Sequence, residues 1–440
     1  MRNINLFFTL ILVLTLVVSC NSSSKREDII SVDDLHVWNE TLEAAIVNDF
    51  FSPPVAARIY SYSNIAAYEV LSKNDSNYRQ FSSLFNDLKT SDIKEKNADA
   101  GLSAIFAFYY TGNRLVYSTN ILKDKMDTFR LSLKDKNIDE NIVTQSEEYG
   151  KSIADAIIAW SSKDIYSESR SFPKYKLVDK EDGWTPTPPD YADAMEPHWS
   201  KIRPFTLDSA QQFRPQAPTA YDMDTNSLFY KELMVVYHAI EQNDEDRVSI
   251  AKFWDCNPLV MKHQGHVTFA EKKLTPGGHW ENIARIAMKA NKFDLVQSAY
   301  TYVMVSIALH DGFISCWDEK FRRNYIRPVT VIQKYINEDW SPILYTPNFP
   351  EYPSGHSVVS SSAAFVLTKI VGTNFSFVDS TEVPYGTAPR SFESFYDAAD
   401  EAAVSRMYGG IHFMPAIENG KVQGRKVGNH VFETLQLKIK

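Results

Sequence analysis

Apolar positions recur every three or four residues through the first third of the chain. Ile59, Tyr62, Ala66 and Val70 form one such stripe, and Tyr149, Ile153, Ile157 and Trp160 form another. Each stripe covers one face of a helix with 3.6 residues per turn. The span from Asp33 to Trp160 therefore reads as helices packed through a single apolar side, with polar connectors at Lys73–Asn77 and Lys134–Asn141. Residues 173–219 break the rhythm, since they hold eight of the twenty prolines and leave no room for a regular helix. Trp184 and Trp199 lie in the same segment, and bulk of that kind predicts a connector that packs across the protein surface. Helical patterning resumes over Asn226–Asn243, Trp280–Lys289 and Phe293–Lys320, then over the apolar run Ser357–Leu367 and over Ala398–Tyr408. Alternating strand-like runs and internal repeats are both missing from the sequence, so the fold class is all-α.

The N-terminus follows a different pattern. Arg2 precedes a nearly unbroken apolar run from Leu6 to Val18, and Val17-Val18-Ser19-Cys20 is similar to a bacterial lipobox. Residues 1–19 read as a lipoprotein signal peptide, Cys20 as the lipid-anchored residue and 20–32 as a tether, which places the protein at the bacterial cell envelope. Elsewhere no stretch reaches eighteen consecutive apolar residues, so contact with the membrane is expected through the anchor alone. The remainder divides into an N-terminal helical bundle at 33–165, the proline-rich connector at 166–225 and a C-terminal helical bundle at 226–440.

Composition narrows the function. At 440 residues with 44% apolar content the chain can bury a large core, and a net charge of −9 argues against a nucleic-acid partner. Besides Cys20 there are two cysteines, Cys256 and Cys316. A disulfide between them is open, although Cys316 sits in an apolar helix where a buried thiol is the commoner state. His263 and His266 with His279 are spaced too loosely for a zinc site. Walker, dinucleotide and serine-hydrolase fingerprints are also lacking.

Three other stretches do carry chemistry. Lys320 is followed after six residues by Arg327-Pro328, Pro353-Ser354-Gly355-His356 opens an apolar helix, and Ser405-Arg406 is followed after five residues by His412. Three cations, a helix N-terminus and two histidines suit a tetrahedral oxyanion, because the helix start offers free N–H groups and arginine a planar fork of donors. Arg322 and Arg323 read instead as a solvated face.

These motifs resemble the superfamily that contains the type 2 phosphatidic acid phosphatases and the vanadium-dependent haloperoxidases, over roughly Trp317 to His412. Ala56–Tyr60 and Asn64–Glu69 extend the likeness toward the N-terminus. The resemblance implies two packed four-helix bundles with the site in the second. In the haloperoxidase form it implies a vanadate cofactor held by Lys320, Arg327, Ser354, Gly355, His356 and Arg406, with His412 as the single metal ligand. Hydrogen peroxide and a halide are the implied substrates. Trp317 and Phe349 match residues on the halide side, and the lipobox and motif layout look similar to bacterial vanadium iodoperoxidases, so iodide, with bromide second, is the expected halide. Two alternatives stay open: an acid phosphatase working through a phosphohistidine at His412, and an oxyanion-binding lipoprotein without turnover. Ala416 departs from the phosphatase pattern, which places an Asp there to orient the histidine. Glu418 lies close enough in sequence to take over.

Overall fold

The computed structural model describes residues 29–73, 75–90, 97–258, 260–264 and 266–439. The expected signal peptide, Cys20 and the start of the expected tether lie outside the described residues. The chain is helical as the periodicity requires. The first group comprises α1 (Val32–Asn48), α2 (Pro53–Ser72), α3 (Ala100–Leu115), α4 (Thr119–Asp135) and α5 (Glu140–Ser161), followed by the single turn α6 (Tyr166–Ser169). The second comprises α7 (Leu228–Glu241), α8 (Glu245–Phe253), α9 (Pro276–Ala290), α10 (Leu295–Arg323), α11 (Pro328–Tyr335), α12 (Gly355–Val371), α13 (Phe395–Tyr408) and α14 (Met414–Leu435).

Two of these helices join the bundles. Every residue of α2 is buried, because one side packs on α3 and the other on α10. A helix enclosed on all sides can hold a charge only if it is paired. Arg58 meets Asp164 at 2.6 Å, and the Tyr62 hydroxyl donates to the same carboxylate at 2.9 Å. The main hydrophobic cluster consequently draws on residues from Ile30 to Leu437 and spans both bundles, with two smaller clusters around Phe229 and Leu344 beside it.

Within the second bundle α10, α12, α13 and α14 pack on one another, and α12 lies closest to α14. Glycines spaced four apart on α14 set that approach. A Cβ on Gly424 would stand 2.0 Å from the carbonyl oxygen of Val358, and one on Gly428 would stand 2.5 Å from that of Ser362. Side chains at these positions would force the two helices apart.

The proline-rich connector packs as its aromatics predict. Trp184 and Trp199 are buried, and Asp311 on α10 accepts the N–H groups of Phe205 and Thr206, each at 2.8 Å. One three-residue 3-10 turn, Trp199–Lys201, interrupts it. Two small antiparallel hairpins add to the all-α reading: β1 (Val260–Gln264) with β2 (Val267–Glu271), and β3 (Phe377–Asp379) with β4 (Arg390–Phe392). Arg322 and Arg323 are only partly solvated, since both pair with the buried carboxylate of Glu319. Cys256 and Cys316 are both free and buried, so the disulfide left open by the sequence does not form. No helix among the described residues is long and apolar enough to cross a membrane.

Candidate oxyanion site

Helix ends place the charged groups. Lys320 lies in the last turn of α10, which stops at Asn324 in the left-handed region (φ 53°), and Arg327 is the N-cap of α11. Ser354 caps α12, its hydroxyl accepting from Ser357 N–H at 3.3 Å, so the N–H groups of Gly355 and His356 fall in the first helical turn and have no partner within the helix. Arg406 sits in the last turn of α13. Gly409 and Gly410 (φ +81°) then turn the chain so that His412 comes back toward Arg327. Gly355 is not required by sterics, since a Cβ there would make only ordinary contact, 3.6 Å from the Trp317 ring. Its contribution is the free N–H.

The structure brings all nine sequence-predicted residues to one place. Trp317, Phe349, Gly355, His356, Arg406 and His412 line a common cavity. Lys320 donates to the carbonyls of Pro350 (2.9 Å) and Glu351 (3.0 Å), and Arg327 to those of Phe349 (3.1 Å) and Ile411 (2.8 Å). Arg406 Nη1 donates to the Trp254 carbonyl at 2.8 Å. Backbone carbonyls thus hold the cations without neutralising them. The Trp317 and Phe349 rings lie 5.0 Å apart, and Lys320 Nζ stands 4.8 Å above the Phe349 ring.

One carboxylate enters this cluster, and the motif spacing does not reveal it. Glu351 accepts from the His412 ring at Nδ1 (2.8 Å) and from Phe413 N–H (2.9 Å). With no acid at Ala416, Glu418 is near enough in sequence to orient His412, but the structure gives that role to Glu351. Glu418 pairs with Lys421, while Ala416 is buried and its carbonyl takes the Ser354 N–H. The absence of an acid at 416 therefore does not separate the two chemistries, because His412 has its partner from another direction. The available signal was the position of Glu351 inside an otherwise apolar and proline-bounded stretch, where a lone acid demands a partner.

The proton states follow from burial and charge. His412 is held well below the ordinary imidazole range by burial and by Arg327, Lys320 and Arg406 around it. His356 is held low likewise, by burial and then Arg406. With Nδ1–H directed to Glu351, His412 presents its Nε2 lone pair, which lies 3.2 Å from Arg327 Nη1. Burial lifts the Glu351 carboxyl to about 7. Burial, with the Arg327 charge nearby, brings the Lys320 amine down to about 7.

This last shift sets a pH dependence. An oxyanion stabilises the ammonium form, so the bound site has the higher pKa, and binding above about pH 7 must take up a proton. The expected result is an orthophosphate affinity that falls by up to about tenfold per pH unit above 7 beyond the anion's own titration. Calorimetric titration of wild type against Lys320→Met isolates the effect, because the variant lacks the titrating amine. Superimposable profiles would refute the coupling.

The residues fit a tetrahedral oxyanion whose central atom can accept one further bond from nitrogen, as vanadate can. The Nε of Arg406 and the Nε2 of His356 are buried without a partner, the first-turn N–H groups are free, and a neutral imidazole offers a lone pair among three cations. The connector helps to close the cavity, since the Met195 carbonyl accepts from Trp317 Nε1 at 3.3 Å. His279 is buried in the first turn of α9. Its ring nitrogens meet Asp379, Glu382 and Cys256.

The family model described as the VCPO second helical-bundle domain matches residues 300–339 and 333–440. Among solved structures, the chain is similar to the crystal structure of the first bacterial vanadium-dependent iodoperoxidase, at 43% identity and a TM-score of 0.88, over 93% of this chain and 98% of that one. It is also similar in fold to a holo-type bacterial vanadium-dependent chloroperoxidase (16% identity, TM-score 0.67, 89% and 94% covered) and to the apo-type structure (18%, 0.64, 88% and 95%). Comparison with curated protein sequences returned no match.

Proposed function

The chain belongs to the vanadium-dependent haloperoxidase family, and from that premise we propose that it oxidises iodide, bromide more slowly and chloride hardly at all. The enzyme uses vanadate as cofactor and takes hydrogen peroxide and a halide as substrates. One observation carries the assignment of roles: neutral His412, whose Nε2 lone pair faces Arg327 Nη1 at 3.2 Å and is available to a ligand that displaces that contact, lies among Lys320, Arg327 and Arg406. Vanadate held there supplies a Lewis-acid centre that activates peroxide for two-electron oxidation of the halide.

The protein's own part is positioning and proton management. His412 Nε2 serves as the single ligand, with its tautomer fixed by Glu351. Lys320, Arg327, Arg406, Ser354 and the Gly355 N–H hold the oxygens. His356 is kept neutral, and its Nε2 has no partner, so it can take a proton from hydrogen peroxide and return it to the departing water. Phe349 and Trp317 form an apolar wall beside the cations, which favours a large, weakly hydrated anion over a small, strongly hydrated one. The similarity to an iodoperoxidase supports the same choice.

Steady-state rates of the vanadate-loaded enzyme with the three halides test the proposal. The expected order is iodide, then bromide, then chloride, and a chloride rate equal to the iodide rate would overturn it. A phosphomonoester assay of the same protein without vanadate belongs beside it, because the Glu351-oriented His412 also suits a histidine nucleophile. We further propose that Cys20 carries a lipid that holds the enzyme at the cell envelope. Incorporation of labelled palmitate that disappears in Cys20→Ala is the expected result, and labelling that persists in that variant would exclude Cys20 as the attachment point.

A further inference from the structure

We propose that Cys256, His279 and Glu382 form a second, separate metal site, for a divalent zinc-like ion, directly behind the oxyanion site. It concerns residues that the vanadate chemistry does not use, and it stands or falls independently of the halide reading.

The three residues come from distant parts of the chain. Cys256 follows α8, His279 lies in the first turn of α9, and Glu382 precedes the 3-10 turn Val383–Tyr385 that follows β3. All three are buried. Their ligand-type atoms converge pairwise: Cys256 Sγ to His279 Nδ1 is 3.3 Å, Cys256 Sγ to Glu382 Oε1 is 3.5 Å, and His279 Nδ1 to Glu382 Oε1 is 3.2 Å. Zinc bonds of about 2.3 Å to sulfur and about 2.0–2.1 Å to nitrogen and oxygen, at tetrahedral angles, would place such atoms about 3.3–3.6 Å apart. The observed triangle matches one face of that tetrahedron to within about 0.3 Å, and it leaves the fourth position for water or another ligand.

The surroundings are those of a metal-binding histidine. His279 Nε2, the ring nitrogen facing away from the triangle, meets Asp379 at 2.7 Å, and Asp379 in turn accepts Thr381 N–H at 2.9 Å. A carboxylate on the far nitrogen fixes the tautomer that presents Nδ1 to an ion. The Trp254 ring stacks on His279 with centroids 4.5 Å apart and holds its plane. One thiol, one imidazole and one carboxylate suit zinc or cobalt(II) better than calcium or magnesium, which take oxygen ligands. Cys256 also lines the oxyanion cavity, which gives an ion a path inward. The consequence for the enzyme is structural, because the loop that carries Cys256 also carries the Trp254 carbonyl that holds Arg406. An ion there would fasten that loop to α9.

The test uses the full chain, stripped with chelator and titrated with cobalt(II) chloride, then with zinc chloride. The expected result is one equivalent of cobalt, with a thiolate-to-cobalt charge-transfer band and the intense visible bands of a tetrahedral centre, displaced by zinc. Cys256→Ser and Glu382→Gln should each weaken zinc binding at least about a hundredfold, and Asp379→Asn about ten- to a hundredfold. His412→Ala should leave it intact. The spectrum of the wild-type protein reports the thiolate directly, so the outcome does not depend on every variant folding. Absence of the charge-transfer band, a band that survives in Cys256→Ser, or loss of binding in His412→Ala would each overturn the site. The first result would leave a hydrogen-bonded triad without an ion, and the last would place the ion in the oxyanion cavity.

Discussion

Replacing His412 with alanine is expected to reduce halide oxidation to background, a loss on the order of a thousandfold or more, while leaving the apo-protein able to bind phosphate. The side chain offers the two anions different interactions. In the proposed arrangement vanadium would take a bond from Nε2, so the variant would lose both a ligand and the fixed position of the metal. Phosphate takes no such bond. It would be held by Lys320, Arg327, Arg406 and the α12 N-terminus, groups fixed by backbone carbonyls and by the cap at Ser354; Arg327 also meets His412 Nε2 at 3.2 Å, but it keeps the Phe349 and Ile411 carbonyls without that ring. Phosphate affinity should therefore change by less than about tenfold, the worth of one hydrogen bond. The residue lies in the short link between α13 and α14, so truncation leaves both helices capped as before. Equilibrium titrations with phosphate and orthovanadate, alongside peroxide-dependent iodide oxidation, check the contrast. Equal losses of affinity for the two anions would remove His412 from the metal, and retained oxidation would remove it from the mechanism.

The legible part of this molecule was the part written locally. Helices could be read from apolar stripes such as Ile59, Tyr62, Ala66 and Val70, because the pattern repeats within one element. The three site motifs were legible for a similar reason, since each pairs its residues within a dozen positions and sits at a helix end. Contacts between distant segments left no such trace. Glu351 acquires its role from a histidine 61 residues later, and Cys256, His279 and Glu382 meet across 126 residues. His263, His266 and His279 are spaced too loosely in sequence to suggest a metal site, and the partners His279 does have, Cys256, Asp379 and Glu382, lie too far along the chain for spacing to reveal. The connector was expected to pack, yet nothing in its prolines showed that Met195 would hold Trp317. The core shared by both bundles likewise depends on α2 being covered on both sides, a fact of packing that its own stripe does not carry.

Glu351→Gln should separate the two anions in the opposite sense from a simple loss of charge. Removing a carboxylate from a site built for oxyanions relieves repulsion, so phosphate should bind as tightly as in wild type or more tightly. Vanadate should bind less tightly, because the carboxylate on Nδ1 raises the basicity of Nε2, and loss of such a partner weakens metal affinity about ten- to a hundredfold. The amide oxygen can still accept from Nδ1–H and from Phe413 N–H, so the tautomer and ring position survive, and the loss measures charge rather than geometry. Lys320 supplies an independent readout. Glu351 raises its pKa, so the neutral variant lowers it further below the present value of about 7, and the decline of phosphate affinity with rising pH should begin earlier. Glu351→Ala should be worse than the glutamine variant for vanadate, since it frees the ring and leaves the Phe413 N–H buried without a partner. Parallel titrations of phosphate and orthovanadate across pH check the series. If both anions weaken equally in the glutamine variant, Glu351 serves only to hold the loop at His412.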